Sequence, residues 1–223
     1  DEYRRGRLTT HKKFGQWQAL LSGDGLLNAS YGTLSRLKTQ NIGLVFRYCT
    51  WALGPKGLIL GQALDLSGLM NESFENLLLT HKLKTARLIQ VCLVAPILAQ
   101  DKKLKSSDIK LAKDLHRVGH DIGVTFQLLD DLTELVDEKL SEHENDVNPW
   151  PKNFNLCLNA VENSSQNIDS FFKKYNSSQL KEIYINYLEK ISSTIIEKQS
   201  TIEIHVKNSL NPVVSCLNSF SLR

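Results

Sequence analysis

Residues 123–134 read Gly123-Val-Thr-Phe-Gln-Leu-Leu-Asp-Asp-Leu-Thr-Glu134, an apolar stretch that carries a dense group of acidic residues. Apolar residues recur at helical spacing on both sides of it, which is the period of a long amphipathic helix. Ser106 or Ser107 can cap this helix, and Asp108 near its start suits the helix dipole. The pattern therefore predicts one helix from there to about residue 139.

Three carboxylates lie close together in this stretch. Asp130 and Glu134 are four residues apart, so they share one helix face, and Asp131 is adjacent to them. Such a cluster repels itself and costs stability when it is desolvated. Mg²⁺ prefers carboxylate oxygens and bridges readily to substrate phosphates. The cluster therefore indicates either a magnesium site or a solvated acidic patch on the helix surface.

Helical periodicity also dominates the rest of the chain. Gly54-Pro55-Lys56-Gly57 interrupts it, because glycine and proline favour turns, and residues 146–151 read as a loop with two prolines. No convincing run of β alternation occurs, so the fold class is all-α, a bundle of long helices. The predicted helical segments are 14–37 (one helix or two), 42–53, 58–69, 71–100, 154–175 and 179–205, while 208–223 is ambiguous.

A basic segment opens the chain. Arg4 and Arg5 are followed by Gly6, and guanidinium groups bind phosphate oxygens in bidentate fashion while glycine lets the backbone come close. The segment indicates either a diphosphate contact or a solvated basic stretch.

Two further polar groups interrupt apolar helical runs. Lys84 and Thr85 could offer an ammonium and a hydroxyl to a leaving group, or Lys84 could simply snorkel on a solvent face. Gln62 and Asp65 lie in the run that begins with Gly57. They indicate either a hydrogen-bonded pair in the core or part of the same site.

Composition limits the class of protein. The chain has 223 residues, 41% of them hydrophobic and 23% charged, which suits one soluble globular domain. A net charge of +3 without a basic, aromatic-interleaved stripe argues against nucleic acid as a partner. No apolar run is long enough for stable membrane insertion, and the four scattered cysteines predict reduced, buried thiols in a cytoplasmic protein.

The order and spacing of these segments resemble the trans-prenyl diphosphate synthases, the polyprenyl synthetase family that includes farnesyl and geranylgeranyl diphosphate synthases. Five motifs over roughly residues 1–140 carry the resemblance. Residues 1–15 are similar to the family's DDxRRGxPTxHxxFG segment, 21–27 to its A-GD-LL helix and 54–66 to its G-GQ-LDL segment; 84–85 match its KT pair, and 126–134 resemble its second aspartate-rich motif, FQ-x-x-DD-x-x-D.

The resemblance implies one isoprenoid-synthase-type domain over residues 1–223, built of long helices around a central cavity. It also implies a Mg²⁺-dependent prenyltransferase, with Mn²⁺ as an alternative ion. Isopentenyl diphosphate would condense with dimethylallyl, geranyl or farnesyl diphosphate by ionisation, condensation and elimination. The product would be farnesyl or geranylgeranyl diphosphate.

The family's functional residues fall on named positions of this chain. By resemblance, the metal ligands are Asp130, Asp131 and Glu134, the catalytic group is Lys84, Thr85, Gln127 and Arg4, and the substrate-binding group is Arg4, Arg5, Lys84, Thr85, Gln127 and Lys152. Arg4 and Lys84 would contact the allylic diphosphate and Arg5 the isopentenyl diphosphate. Thr85 and Gln127 would line the site and stabilise the carbocation.

The chain departs from the family pattern at several points. Glu134 stands where the family has aspartate, and Leu8 replaces a proline. The GKxxxxDxxxxK segment is poorly kept around Asp146, and Lys152 fits its distal lysine with the spacing off by one. The chain opens at Asp1 without methionine, so we expect the protein to begin earlier, with the first aspartate-rich motif just upstream.

Two other functions share this pattern. A non-catalytic partner subunit has the same fold but typically loses an aspartate-rich motif, whereas the second motif is retained here. A class I terpene cyclase shares the helical cavity and metal chemistry but needs no arginine pair or Lys-Thr element for a second diphosphate. The resemblance also implies a homodimer, for which residues 14–37 and 42–53 are the candidate interface.

Overall fold

The structure is a computed structural model that describes residues 2–4, 6–136 and 147–221, and most of these residues are helical. The predicted all-α class is confirmed. The helices are α1 Thr10–Phe14, α2 Gln16–Leu34, α3 Ile42–Leu53, α4 Leu58–Leu66, α5 Phe74–His81, α6 Arg87–Leu98, α7 Ser106–Glu134, α8 Pro149–Tyr175, α9 Ser178–Glu197, α10 Gln199–Val206 and α11 Asn211–Ser221. A 3₁₀ turn, Leu69–Asn71, precedes α5, and a π-helical turn, Lys82–Ala86, joins α5 to α6.

A short hairpin stands before the first helix. Strands β1 (Tyr3–Arg4) and β2 (Arg7–Leu8) pair antiparallel, with Arg4 opposite Arg7. Gly6 adopts φ of 75°, which glycine tolerates without steric cost. Strands of two residues are too short to show alternation, so the sequence pattern could not reveal them.

Glycine also sets where the next helices begin and end. The predicted segment 14–37 is two helices, because Gly15 at φ of 107° separates α1 from α2. The predicted segment 58–69 ends earlier, at Leu66, and Gly68 at φ of 76° turns the chain toward α5. Both positions lie in the left-handed region that favours glycine.

Helix α7 is the central element, and it packs against α6 on one side and α8 on another. Leu128, Leu129 and Leu132 are fully buried along it. At Gly123, an added Cβ would lie 2.4 Å from the Cα of Ala86, closer than any carbon contact permits. The π turn and α7 therefore approach each other closely at this point, which fixes the position of their polar side chains relative to one another.

The ends of α7 differ from the prediction. The extended cap residue is Lys105, rather than Ser106 or Ser107, and the Asp108 carboxylate accepts the Lys105 N–H at 2.9 Å. The helix ends at Glu134 instead of residue 139. Asp146, in the predicted loop, lies outside the described residues.

Helix α8 begins with a capped and buried turn. Asn148 accepts the Trp150 N–H at 3.1 Å, and the fully buried Trp150 indole donates to the Leu128 carbonyl of α7 at 2.6 Å. Asn153 leaves helical geometry (φ −132°, ψ 35°). The two prolines favoured a loop over residues 146–151, but the helix already starts at Pro149, because proline is tolerated in the first turn of a helix.

The C-terminal helices close the bundle against α7 and α8. The predicted segment 179–205 is divided at Lys198 (φ −108°) into α9 and α10. The segment of ambiguous sequence contains α11. Buried side chains that hold these helices in the core include Tyr184, Leu188, Ile195, Ile202 and Leu217.

The cysteines match the prediction only in part. Cys49 and Cys157 are buried free thiols and Cys216 is partly buried, but Cys92 is exposed on α6, so burial of all four was a wrong prediction. Over the described ranges, no helix combines the length and apolar character needed to cross a membrane.

Candidate active site

The close approach of the π turn and α7 brings the Lys-Thr pair to the acidic motif. The Thr85 hydroxyl donates to Oε1 of Gln127 at 2.9 Å, and the Gln127 amide donates to Oδ1 of Asp131 at 3.0 Å. These three residues, chosen from the sequence, therefore form one hydrogen-bonded chain across two helices.

The π turn sends Lys84 and Thr85 to different partners. Thr85 faces α7, whereas the Lys84 ammonium lies 2.5 Å from Oδ2 of Asp65 on α4. Gln62, one turn earlier on α4, donates to the same oxygen at 3.3 Å. The pairing of Gln62 with Asp65 is confirmed, but it also reaches Lys84, a partner that the sequence did not indicate.

Asp131 is held from its other side by residues that the sequence analysis did not select. Nε2 of His81 lies 3.4 Å from Oδ2 of Asp131, and the two side chains are only 4% and 14% exposed. Asn148 donates to the Asp131 carbonyl at 2.6 Å, which ties the first turn of α8 to the acidic motif. A histidine in the apolar run of α5 was the available clue to His81.

Burial raises the cost of charge at this site. Burial, helped by the nearby Glu134 and Asp130 carboxylates and opposed by the Gln127 hydrogen bond, raises the pKa of Asp131 to about 7. Burial also raises the pKa of Asp130. For His81, burial and the Lys84 charge lower the pKa to about 4, so the ring is neutral at pH 7. The carboxylates therefore lack compensating positive charge from His81.

The acidic residues differ in exposure. Asp130 is partly buried, Glu134 is exposed, and the Asp131 carboxylate is engaged by Gln127 and His81. Across residues 2–4, 6–136 and 147–221, no group of three histidine, cysteine or acidic side chains is placed to hold a metal by itself. Asp130 and Glu134 lie one turn apart on α7. Their carboxylate oxygens could bind one metal ion that also has ligands from outside the protein.

The remaining predicted residues lie elsewhere. Arg4 lines a wide cleft of about 840 Å³ with Arg7, Thr9 and His11. Lys152 is exposed on α8 and borders a separate cavity of about 270 Å³ next to the start of α5. Arg5 lies outside the described residues. The structure thus brings Lys84, Thr85, Gln127 and Asp131 together, whereas Arg4 and Lys152 line two other cavities.

The fold and this site define an all-α protein in which an ammonium, a hydroxyl and several partly buried carboxylates converge on the wall formed by α4, the π turn and α7. A sequence model described as "Polyprenyl synthetase" matches residues 1–186. The chain belongs to the polyprenyl synthetase family.

Known proteins agree with this assignment. The chain is 29% identical over 151 residues to farnesyl diphosphate synthase of Geobacillus stearothermophilus, covering 64% of this chain and 49% of that protein. It is 34% identical over 137 residues to geranylgeranyl diphosphate synthase of Pseudescherichia vulneris, covering 60% of this chain and 43% of that protein. The chain thus spans about half the length of these relatives.

Solved structures show the same fold. A geranyltransferase from Legionella pneumophila superposes with a TM-score of 0.64 at 23% identity, covering 93% of this chain and 66% of that one. A geranyltransferase from Helicobacter pylori, complexed with magnesium and isoprenyl diphosphate, superposes with a TM-score of 0.56 at 24% identity, covering 99% of this chain and 66% of that one. The isoprenoid-synthase-type bundle is confirmed.

Proposed function

We propose that the protein is a short-chain trans-prenyltransferase that condenses isopentenyl diphosphate with an allylic diphosphate. The observation that carries the proposal is the hydrogen-bonded chain from Thr85 through Gln127 to Asp131, beside the Lys84 ammonium. It joins the Lys-Thr pair to the second aspartate-rich motif, the two segments that would bind diphosphate and metal, and the named relatives are farnesyl and geranylgeranyl diphosphate synthases.

Magnesium is the ion that the carboxylates fit best. Mg²⁺ is usually bound by one or two carboxylates together with substrate phosphates and water, so a complete protein cage is not required. Asp130 and Glu134 offer such oxygens one turn apart, and burial makes the Asp130 charge costly in the absence of a cation. Asp131 stays a predicted third member of this set, and Mn²⁺ an alternative ion.

When bound, the metal would neutralise negative charge on the diphosphate. The Lys84 ammonium would contact the departing diphosphate, with Arg4 on the allylic diphosphate, Arg5 on isopentenyl diphosphate and Lys152 as an outer phosphate contact. Fixed cations aimed at developing negative charge lower the barrier because they need no reorganisation. The Thr85 hydroxyl and Gln127 carbonyl, linked at 2.9 Å, would place oxygen dipoles near the allylic cation.

The proposed reaction needs no protein side chain to accept the proton. The C–O bond of the allylic diphosphate breaks, and the double bond of isopentenyl diphosphate attacks the allylic carbon. A proton then leaves the condensed product for the released diphosphate. The net products are the longer prenyl diphosphate, farnesyl or geranylgeranyl diphosphate, and inorganic diphosphate. Apolar walls would protect the cation from water.

The proposal also covers the assembly, the domain organisation and the location of the protein. The protein would act as a homodimer of single prenyl synthase domains, since α2 exposes large apolar side chains that a partner could cover. Free thiols are compatible with a cytoplasmic location.

Product analysis tests the proposed activity. The protein is incubated with isopentenyl diphosphate and dimethylallyl, geranyl or farnesyl diphosphate, with and without Mg²⁺, and products are identified by mass. We expect elongation that requires Mg²⁺ and that falls by at least about a hundredfold in Asp130→Ala, since one well-placed charge is worth this much in such sites.

A matched exposed substitution, Asp101→Ala on the turn after α6, should leave elongation unchanged. Cyclised hydrocarbon products would favour a terpene cyclase instead. No product from any allylic primer would favour a non-catalytic partner subunit and would refute the proposed activity.

A further inference from the structure

Helix α4 lies unusually close to the π turn. A Cβ added at Gly61 would lie 2.4 Å from the Lys84 backbone nitrogen and 2.7 Å from the Leu83 carbonyl carbon. Only glycine permits this approach. Asp65 follows Gly61 by four residues, so it lies on the same helix face, directed at the same turn. The backbone geometry therefore sets where the Asp65 carboxylate stands relative to Lys84.

Asp65 and Lys84 form a close ion pair in a partly exposed position. The Lys84 Nζ and Asp65 Oδ2 atoms are 2.5 Å apart, with side chains 39% and 26% exposed. Gln62 donates to the same carboxylate oxygen at 3.3 Å, which restrains its rotamer. A lysine side chain has four rotatable bonds, so without such a partner its ammonium would sample many positions.

We propose that Asp65 is a positioning residue: it holds the Lys84 ammonium in the orientation from which that ammonium meets the substrate diphosphate. This inference rests on the proposed prenyl transfer and adds a residue to it. In the free protein Asp65 is the partner of Lys84, and on binding the ammonium contacts carboxylate and diphosphate together. Preorganisation of a charged group is a large part of transition-state stabilisation.

The arrangement has two opposing effects on the substrate. The Asp65 carboxylate repels the diphosphate and competes for Lys84, which weakens ground-state binding. It also fixes the ammonium, which speeds departure of the leaving group. Removing the charge should therefore tighten binding and slow turnover. A residue that only supported the fold would show neither pattern, because structural damage weakens binding and turnover together.

Asp65→Asn is the first variant, because it keeps the shape of the side chain and removes its charge. We expect kcat to fall by about tenfold to a hundredfold, the range in which misplaced groups reduce rates. Calorimetry with inorganic diphosphate and Mg²⁺ should give a Kd lowered by about threefold or more, as a nearby like charge is removed. Asp101→Asn, on an exposed turn, is the matched control and should change neither value. Unchanged kcat, or unchanged or weaker diphosphate binding in Asp65→Asn, contradicts the proposal.

A double-mutant cycle with Lys84→Ala tests whether Asp65 acts through Lys84. In the Lys84→Ala background, Asp65→Asn should lower kcat by less than about twofold, and its tightening of diphosphate binding should shrink by at least about half. Effects that simply multiply would overturn the proposal. Asp65→Glu, which restores the charge on a longer side chain, should recover part of kcat.

The two proposals fail separately. If the unsubstituted protein binds diphosphate but makes no prenyl product, prenyl transfer fails, while coupling of Asp65 to Lys84 in the binding cycle still supports the positioning role. If product forms but the cycle shows no coupling, Asp65 is not a positioning residue. A protein that binds no diphosphate overturns both.

Discussion

His116 on α7 is a partly buried side chain that joins three helices. Its Nδ1 lies 2.9 Å from the Tyr48 hydroxyl of α3, and its Nε2 lies 3.3 Å from the Gln90 amide of α6. The ring also lies in aromatic contact with Tyr48 and Trp51. Burial, followed by the charges of Arg87, His120, Lys82 and Arg117, lowers its pKa to about 4 from an ordinary 6.5. The neutral ring is thus the form that the fold requires.

Stability should therefore depend on pH in a definite direction. Between pH 6.5 and 4 the unfolded chain protonates His116 while the folded protein does not, so stability falls as pH is lowered through this range. In His116→Gln we expect a shallower decline of the unfolding free energy between pH 7 and 5, measured by urea denaturation. The slope lost should be less than about 1.4 kcal/mol per pH unit, the limit for one proton.

His205, exposed on α10, provides the control for this measurement. His205→Gln should follow the unsubstituted protein. The decline due to the buried His81, whose pKa is lowered for the same reason, remains in all three proteins. Parallel curves for His116→Gln and the unsubstituted protein would show that protonation of His116 does not oppose folding.

At the scale of helices, Gly123 decides how closely α7 packs against the π turn that leads into α6. An alanine there would place Cβ 2.4 Å from both Cα and Cβ of Ala86, and the facing atoms belong to backbone or to a short side chain that cannot move aside. We expect Gly123→Ala to destabilise the protein by about 1–3 kcal/mol, as overpacked cores do. It should also lengthen the hydrogen bond between Thr85 and Gln127 and so reduce activity.

Gly43→Ala on α3 makes the same substitution where no atom lies within 4 Å. Alanine is the better helix former, so this control should be neutral or stabilising by up to about 1 kcal/mol. Urea unfolding of the two variants supplies the comparison. Equal stabilities would mean that the π turn and α7 can separate at little cost.

The regular spacing of apolar residues predicted the existence of the long helices but not their interruptions. Residues 154–175 and 42–53 carried regular apolar spacing, and both match helical segments. The break at Lys198 and the kink at Asn153 left no mark, because neither position is glycine or proline and both are set by tertiary packing.

The spacing of the family motifs indicated which residues of the candidate site lie together, though only in part. Lys84, Thr85, Gln127 and Asp131 could be chosen because each stands in a recognisable local pattern. The partner of Lys84 could not, because Asp65 meets it only through the approach of α4 at Gly61, which is a long-range contact. His81 was missed since one histidine in an apolar run more often fills a core position than holds a carboxylate.

At the scale of the whole molecule, α2 is the feature that the described fold leaves unexplained. None of its residues is buried, and Trp17, Leu20 and Leu26 are each at least 66% exposed. Single exposed apolar residues are common, but a helix with large apolar side chains exposed along its length marks an interaction surface. A second copy of the chain is the partner that the proposed function supplies.

Charge on α2 should therefore change the oligomeric state. In Leu20→Glu with Leu27→Glu, we expect a protein that forms dimers to become monomeric in sedimentation experiments, because buried carboxylates would lack partners at the interface. Ile204→Glu, on an exposed apolar residue of α10, should leave the mass unchanged. A dimer that survives both glutamates would place the interface elsewhere.

The π turn at Lys82–Ala86 has a consequence for how the chain tolerates changes in length. Such a turn holds one residue more than the α-helix around it, so loss of one residue there would restore ordinary helix while rotating every position upstream by about 100° relative to α6. If the lost residue is Lys82 or Leu83, Thr85 would still face Gln127, but His81 would turn away from Asp131. Insertions and deletions should accordingly be accepted between helices and rejected in this one turn.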